Sequence, residues 1–151
     1  MRGTFKNTPS KHAEILLLDA LEEEFERRES EDESDSEDDD PEIIQIRVTQ
    51  NYSPCEECAD EIIDFIRNCD YEIRLSITFG TFYYFDFNKR GLVRLRKAGV
   101  NLQLIDQELR NKIEEMVFSE LYKYHVSSNK MQDWLVTRKD MDKEYMEEIE
   151  S

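Results

Sequence analysis

Two short clusters hold the residues best suited to chemistry: His12-Ala13-Glu14 and Pro54-Cys55-Glu56-Glu57-Cys58. One imidazole and two thiolates would give a zinc ion three protein ligands. The fourth tetrahedral position would be left for water, the pattern of a catalytic centre rather than a closed structural one. Zinc held this way makes hydroxide available near neutral pH. A carboxylate beside it, here Glu14, can carry protons between that water and a substrate. The competing reading is a zinc site that only holds the fold. Such a site ordinarily closes with a fourth Cys or His, and the spare candidates, Cys69 and His125, do not stand at ligand spacing.

Helix ends are what must bring these residues together. At about 100° per residue, His12 and Glu14 would point roughly 200° apart on a helix flank, so they converge only off a helix tip. Thr8-Pro9 predicts a helix start there, with a capping hydroxyl followed by proline at the first helical position. Ile15, Leu18, Leu21 and Phe25 then fall on one face. Ser53-Pro54 gives the same signal for a second helix, through about Asn68, with Ile62, Phe65 and Ile66 facing inward. Cys55 and Cys58, at i and i+3, share a face at its tip. A helix N-terminus also favours thiolate over thiol.

Between and beyond these helices the pattern alternates. Ile43 to Thr49, Glu72 to Phe79 and Val100 to Ile105 read as strands, and Asn88 to Lys97 as a short helix closed by Gly99. A helical crossover between strands makes them parallel. Ile113, Val117 and Leu121 suggest a further helix. The 151 residues suit one domain, expected over 1–138, with an acidic insert at 29–41 and an acidic helix or tail at 139–151. The formal net charge is −16, but residues 29–40 contain nine acids and no base. Without that run the chain is only moderately acidic. Such a stretch has no apolar surface to bury and reads as a disordered loop. No secretory signal or membrane span is legible, since the apolar run Ile15 to Leu18 is too short. Three cysteines form no disulfide framework, so an intracellular location, cytoplasm or nucleus, is expected, with no membrane partner.

H-x-E…P-C-x-x-C is the signature of zinc deaminases, and the surrounding residues narrow the likeness. His12-Ala13-Glu14-Ile15-Leu16-Leu17-Leu18, Tyr52-Ser53-Pro54-Cys55, Thr81-Phe82-Tyr83-Tyr84 and Gly91 to Val100 together resemble the AID/APOBEC branch of the cytidine deaminase superfamily. Tyr52 stands where that family has Trp, and Thr81 where it has Arg. The resemblance runs from about Arg2 to Ile105. It implies an α/β, cytidine-deaminase-like three-layer α-β-α fold whose last strands are parallel. That arrangement separates polynucleotide-editing and tRNA deaminases from free-nucleoside enzymes. It further implies zinc on His12, Cys55 and Cys58, and Glu14 as the proton shuttle. The substrate contacts it implies are Asn7, Tyr52, Ser53, Tyr83, Tyr84 and Phe85, on a cytosine in single-stranded DNA or RNA.

Two features depart from the family pattern. Only 11 residues precede His12, so the usual N-terminal helix and two strands are missing. The strand at Ile43 to Thr49 would then present an open edge, a place for a partner or a second copy. Charge is the other departure. Strand binding depends on neutralising phosphates, yet residues 44–138 carry 14 acids against 13 bases. Lys89, Arg90, Arg94, Arg96 and Lys97 are the best phosphate-contacting candidates, against the alternative of a solvated helix face. The expected activity is zinc-dependent deamination of cytosine to uracil. Its rivals are an inactive zinc-bearing binding module and a free (deoxy)cytidylate deaminase.

Overall fold

The computed structural model describes residues 2–31, 42–83, 86–105 and 128–151. Its elements follow in the order α1 (Ala13–Glu31), β1 (Ile43–Tyr52), α2 (Glu56–Asn68), β2 (Glu72–Thr81), α3 (Asp86–Lys97), β3 (Asn101–Leu104) and α4 (Ser128–Glu150). The fold is mixed α/β, with four helices and a parallel three-stranded sheet ordered β1-β2-β3 among the described residues. The register sets Ile46 opposite Leu75 and Ile77 opposite Leu102. Each crossover, β1-α2-β2 and β2-α3-β3, carries a helix, which is why both pairings are parallel. Among the described residues β1 pairs with β2 alone.

The core forms on one face of the sheet. Side chains alternate along a strand, and Leu75, Ile77 and Phe79 of β2 are buried together with Leu102 of β3. Against them pack Leu18 of α1, Ala59, Ile62 and Ile63 of α2, and Leu92 and Leu95 of α3. The periodicities read in the sequence are therefore the ones that bury. Gly99 ends α3 at φ 94°, a left-handed conformation that side chains resist. Its N–H reaches the Arg96 carbonyl at 3.0 Å and Val100 N–H reaches that of Leu95 at 3.1 Å, which satisfies the last carbonyls of the helix.

Both helices that carry the chemistry start later than their sequence signals indicate. Thr8 does not cap α1. Its Oγ accepts from Lys11 N–H at 3.0 Å and its own N–H donates to the Lys11 carbonyl at 2.8 Å, closing a local turn. Helix α1 begins at Ala13 instead, with the His12 carbonyl accepting from Ile15 and Leu16. Ser53 is likewise not the cap of α2; Cys55 is, and its sulfur accepts from Cys58 N–H. The shift places the metal-ligand candidates themselves at both helix tips.

Residues 139–150 form the second half of α4 and pack inward rather than standing apart. Asp142 and Ile149 are fully buried, and Tyr145 meets Phe82 with ring centroids 4.6 Å apart and planes tilted by 56°. Most of the acidic run, 32–41, and the helix expected around Ile113, Val117 and Leu121 lie outside the described residues. No helix among the described residues is long and apolar enough to cross a membrane.

Candidate metal centre

Parallel strands and their helices leave the N-termini of α1 and α2 side by side at the strands' C-terminal end. His12 directly precedes α1, Cys55 caps α2, and Cys58 lies in the first turn of α2. The ligand atoms of His12, Cys55 and Cys58 all fall within 4.8 Å of one another. His12 Nδ1 is 3.3 Å from Cys58 Sγ and 3.5 Å from Cys55 Sγ. A tetrahedral zinc bound at ordinary N and S distances would separate such donors by roughly 3.5 Å, so the set fits that ion. His12 is exposed, Cys55 half-buried and Cys58 buried. One side of the cluster therefore opens outward.

The thiols are already polarised. Cys55 is pulled down to about 5, first by the hydrogen bond from Cys58, then by Cys58 N–H and by His12, with burial opposing. Cys58 is pushed up by the same shared proton, by burial and by the negative charge of Glu14. The two shifts run in opposite directions because the sulfurs share one proton between them. A divalent cation would relieve the repulsion that keeps Cys58 protonated.

Glu14, in the first turn of α1, lies near enough for its charge to act on Cys58. Gln50 of β1 donates to Glu14 Oε1 at 3.1 Å and to the Tyr52 carbonyl at 2.6 Å, fixing the carboxylate against the sheet. Tyr52 and Tyr83, about half-exposed, stand at the ends of β1 and β2 with ring centroids 6.2 Å apart, edge to face. Phe82, next to Tyr83 in sequence, is fully buried against Phe79 and Tyr145, so the aromatic run divides between core and surface. Ser53 Oγ accepts from Tyr83 N–H at 2.9 Å. Asn7 Oδ1 accepts from Ala13 N–H at 2.7 Å and so closes the N-terminus of α1. Tyr84 and Phe85 lie outside the described residues. The structure thus brings His12, Glu14, Cys55, Cys58, Tyr52, Ser53 and Tyr83 to one end of the sheet.

Comparison with protein families gives a match over residues 1–120 to the APOBEC3 cytosine deaminase domain. The chain belongs to the APOBEC3 cytosine deaminase domain family. A comparison with curated proteins found no match. This family is zinc-dependent, and His12, Cys55 and Cys58 form a group that could hold such an ion.

The basic residues of α3 do not form the free patch that the sequence offers. Arg94 Nη2 bonds Glu56 Oε1 at 3.2 Å and Asp60 Oδ1 at 2.8 Å. Arg96 donates to the Ile149 carbonyl at 3.1 Å. Lys89 pairs with Glu148 and lies over the Tyr145 ring. Three of the five charges therefore join α3 to α2 and α4. Sequence reading also passed over Gln50, Asn88 and Asp142. Each has a local signal: Gln50 is the polar break in the inward series Ile44, Ile46, Val48. Asn88 shares a stripe with Leu92 and Leu95, and Asp142 with Tyr145 and Ile149, all at helical spacing.

Proposed function

We propose that this member of the APOBEC3 domain family is a zinc-dependent deaminase that converts cytosine to uracil in single-stranded DNA or RNA. The observation that carries the reading is the convergence of His12, Cys55 and Cys58 within 4.8 Å, with Glu14 close by in the first turn of α1. Zinc held there would supply a Lewis acid and a water ionised near neutral pH. His12 and the two cysteines would hold it, the helix tips orienting all three. Glu14 would take the proton of the attacking water, deliver it to the ring N3 of the base, and later protonate the departing amino group, which leaves as ammonia. Gln50 would restrain the Glu14 carboxylate through its hydrogen bond. Tyr52 and Tyr83 offer faces on which an unstacked base can rest, and Asn7, Ser53, Tyr84 and Phe85 are further substrate contacts in this reading. Thiolate ligands and a nucleic-acid substrate suit the cytoplasm or nucleus. The edge of β1 from Ile43 to Thr49, which no described strand pairs with, suits a partner strand or a second copy.

One observation favours a second reading, a zinc-bearing module with weak strand grip: Lys89, Arg94 and Arg96 are engaged within the protein. The test is uracil formation from single-stranded cytosine-containing DNA and RNA by purified protein with its zinc measured, beside Glu14→Ala. Product lost in Glu14→Ala with zinc retained supports the enzyme. Zinc without product supports the module, deamination of free deoxycytidylate alone supports a nucleotide enzyme, and absence of zinc refutes the metal centre.

A further inference from the structure

Asn88 is fully buried, and both halves of its side-chain amide are engaged across element boundaries. Its Oδ1 accepts from Glu56 N–H at 3.0 Å, and its Nδ2 donates to the Tyr83 carbonyl at 3.1 Å. Swapping the amide would set donor against donor and acceptor against acceptor, so the orientation is fixed by its partners. Glu56 N–H is one of the first amides of α2, which have no partner within their own helix. Asn88 therefore caps a helix other than its own. Tyr83 is held on its other side as well, its N–H on Ser53 Oγ at 2.9 Å, and Ser53 N–H donates to the Thr81 carbonyl at 3.0 Å.

These bonds close a ring. It runs from Ser53 to Tyr83, through the Asn88 side chain to Glu56, and back along Pro54 and Cys55. We propose that Asn88 is a positioning residue that fixes the Tyr83 wall at a set distance from the metal-bearing tip of α2. The proposal rests on the reading above that Tyr83 lines the base pocket. A buried amide left half-satisfied is costly, so the ring holds only in one geometry. Its position in the stripe with Leu92 and Leu95 anchors Asn88 to the core, which makes α3 the rigid reference for both metal and wall.

Two variants separate the halves of the amide. Asn88→Asp keeps an acceptor for Glu56 N–H but sets a carboxylate oxygen against the Tyr83 carbonyl. Asn88→Ala removes both bonds. Zinc content, amide NMR with hydrogen exchange, and steady-state kinetics on a single-stranded cytosine oligonucleotide are measured for each. Asn88→Asp is expected to retain zinc and Glu56 amide protection, to shift the Tyr83 amide resonance, and to raise KM about tenfold with kcat little changed, as for the loss of one buried hydrogen bond. Asn88→Ala is expected to speed Glu56 amide exchange about tenfold as well. Unchanged Glu56 exchange in Asn88→Ala, an unmoved Tyr83 resonance in Asn88→Asp, or a fall in kcat at constant KM would each overturn the proposal. If the wild-type protein neither binds nor deaminates the oligonucleotide, the functional reading fails, while the two amide measurements still decide the role of Asn88.

Discussion

Replacing Gly91 with alanine adds a methyl group where two helices meet backbone to backbone. An added Cβ would lie 3.0 Å from Glu56 Cα and 3.1 Å from Ala59 Cβ. Carbon atoms rest at about 3.5–4.0 Å, so α3 would have to withdraw from α2 by roughly half an ångström. Neither neighbour can swing aside, since one atom is main chain and the other a methyl fixed to it. Two terms oppose each other. Alanine favours the helix by about 1 kcal/mol over glycine, whereas overpacking a well-filled contact costs about 1–3 kcal/mol. The net expectation is a destabilisation of about 1 kcal/mol, read as a fall in Tm of about 2–4 °C for a chain of 151 residues. The site should suffer more than the fold. Glu56 sits between Cys55 and Cys58, so the displacement reaches the thiolates directly, and zinc affinity should weaken about tenfold, as for a lost supporting contact. Thermal denaturation with and without zinc, and competition for zinc against a chelator, measure the two effects. An unchanged or raised Tm together with unchanged zinc affinity would show that helix propensity wins and that the α2–α3 contact is looser than the structure has it.

Asp142 accepts from Thr81 Oγ1 and Phe82 N–H while fully buried. Asp142→Ala should therefore destabilise the protein by about 2–4 kcal/mol in urea denaturation, and Asp142→Asn, which keeps one acceptor, by less. Arg94→Gln should lower thermal stability slightly and leave the salt dependence of oligonucleotide binding unchanged, because that guanidinium already faces Glu56 and Asp60. A reduced salt slope would return Arg94 to the strand-binding surface. Arg27, with Arg28 assisting, holds the Glu24 carboxyl down to about 2 from its ordinary 4.5. Its folded-state pKa being the lower, that contribution is present above pH 4.5 and is lost as pH falls toward 2. Glu24→Gln should flatten the acid limb of the Tm–pH curve, and an unaltered limb would exclude the contribution. Removing zinc with a chelator should lower Tm in the wild type and leave the Tm of a Cys58→Ser variant where it was.

Much of the metal centre was legible because its signals are local. His12, Glu14, Cys55 and Cys58 have side chains suited to the chemistry, and their spacing suits a helix tip. The parallel sheet followed from the crossover patterns of α2 and α3, and Gly99 marked the end of α3. The helix starts misled because Thr8-Pro9 and Ser53-Pro54 carry every local sign of a cap. What sequence does not weigh is competition. The Thr8 hydroxyl bonds Lys11 in a turn, and the Ser53 hydroxyl is claimed by Tyr83 from a different strand. Gln50, Asn88 and Asp142 escaped for the same reason, since their partners lie on other elements. Charge left the C-terminal stretch open, as an acidic helix or tail over 139–151, although Asp142, Tyr145 and Ile149 keep a helical stripe. The cations of α3 looked free because their carboxylate and carbonyl partners stand on α2 and α4.

The buried Asp142 has a consequence for how the molecule comes apart. It joins α4 to the end of β2 across 60 residues, whereas the metal ligands are carried by α1 and α2. Loss of α4 would therefore reach the site from the side of β2, through Thr81 and Phe82. A partial unfolding that released α4 would free Thr81 and Phe82, whereas Tyr83 would keep its bonds to Ser53 and Asn88, and His12, Cys55 and Cys58 would stay together. If that group holds zinc as proposed, such a form would keep the metal while the end of β2 came loose, so metal content alone would overstate the fraction of intact molecules.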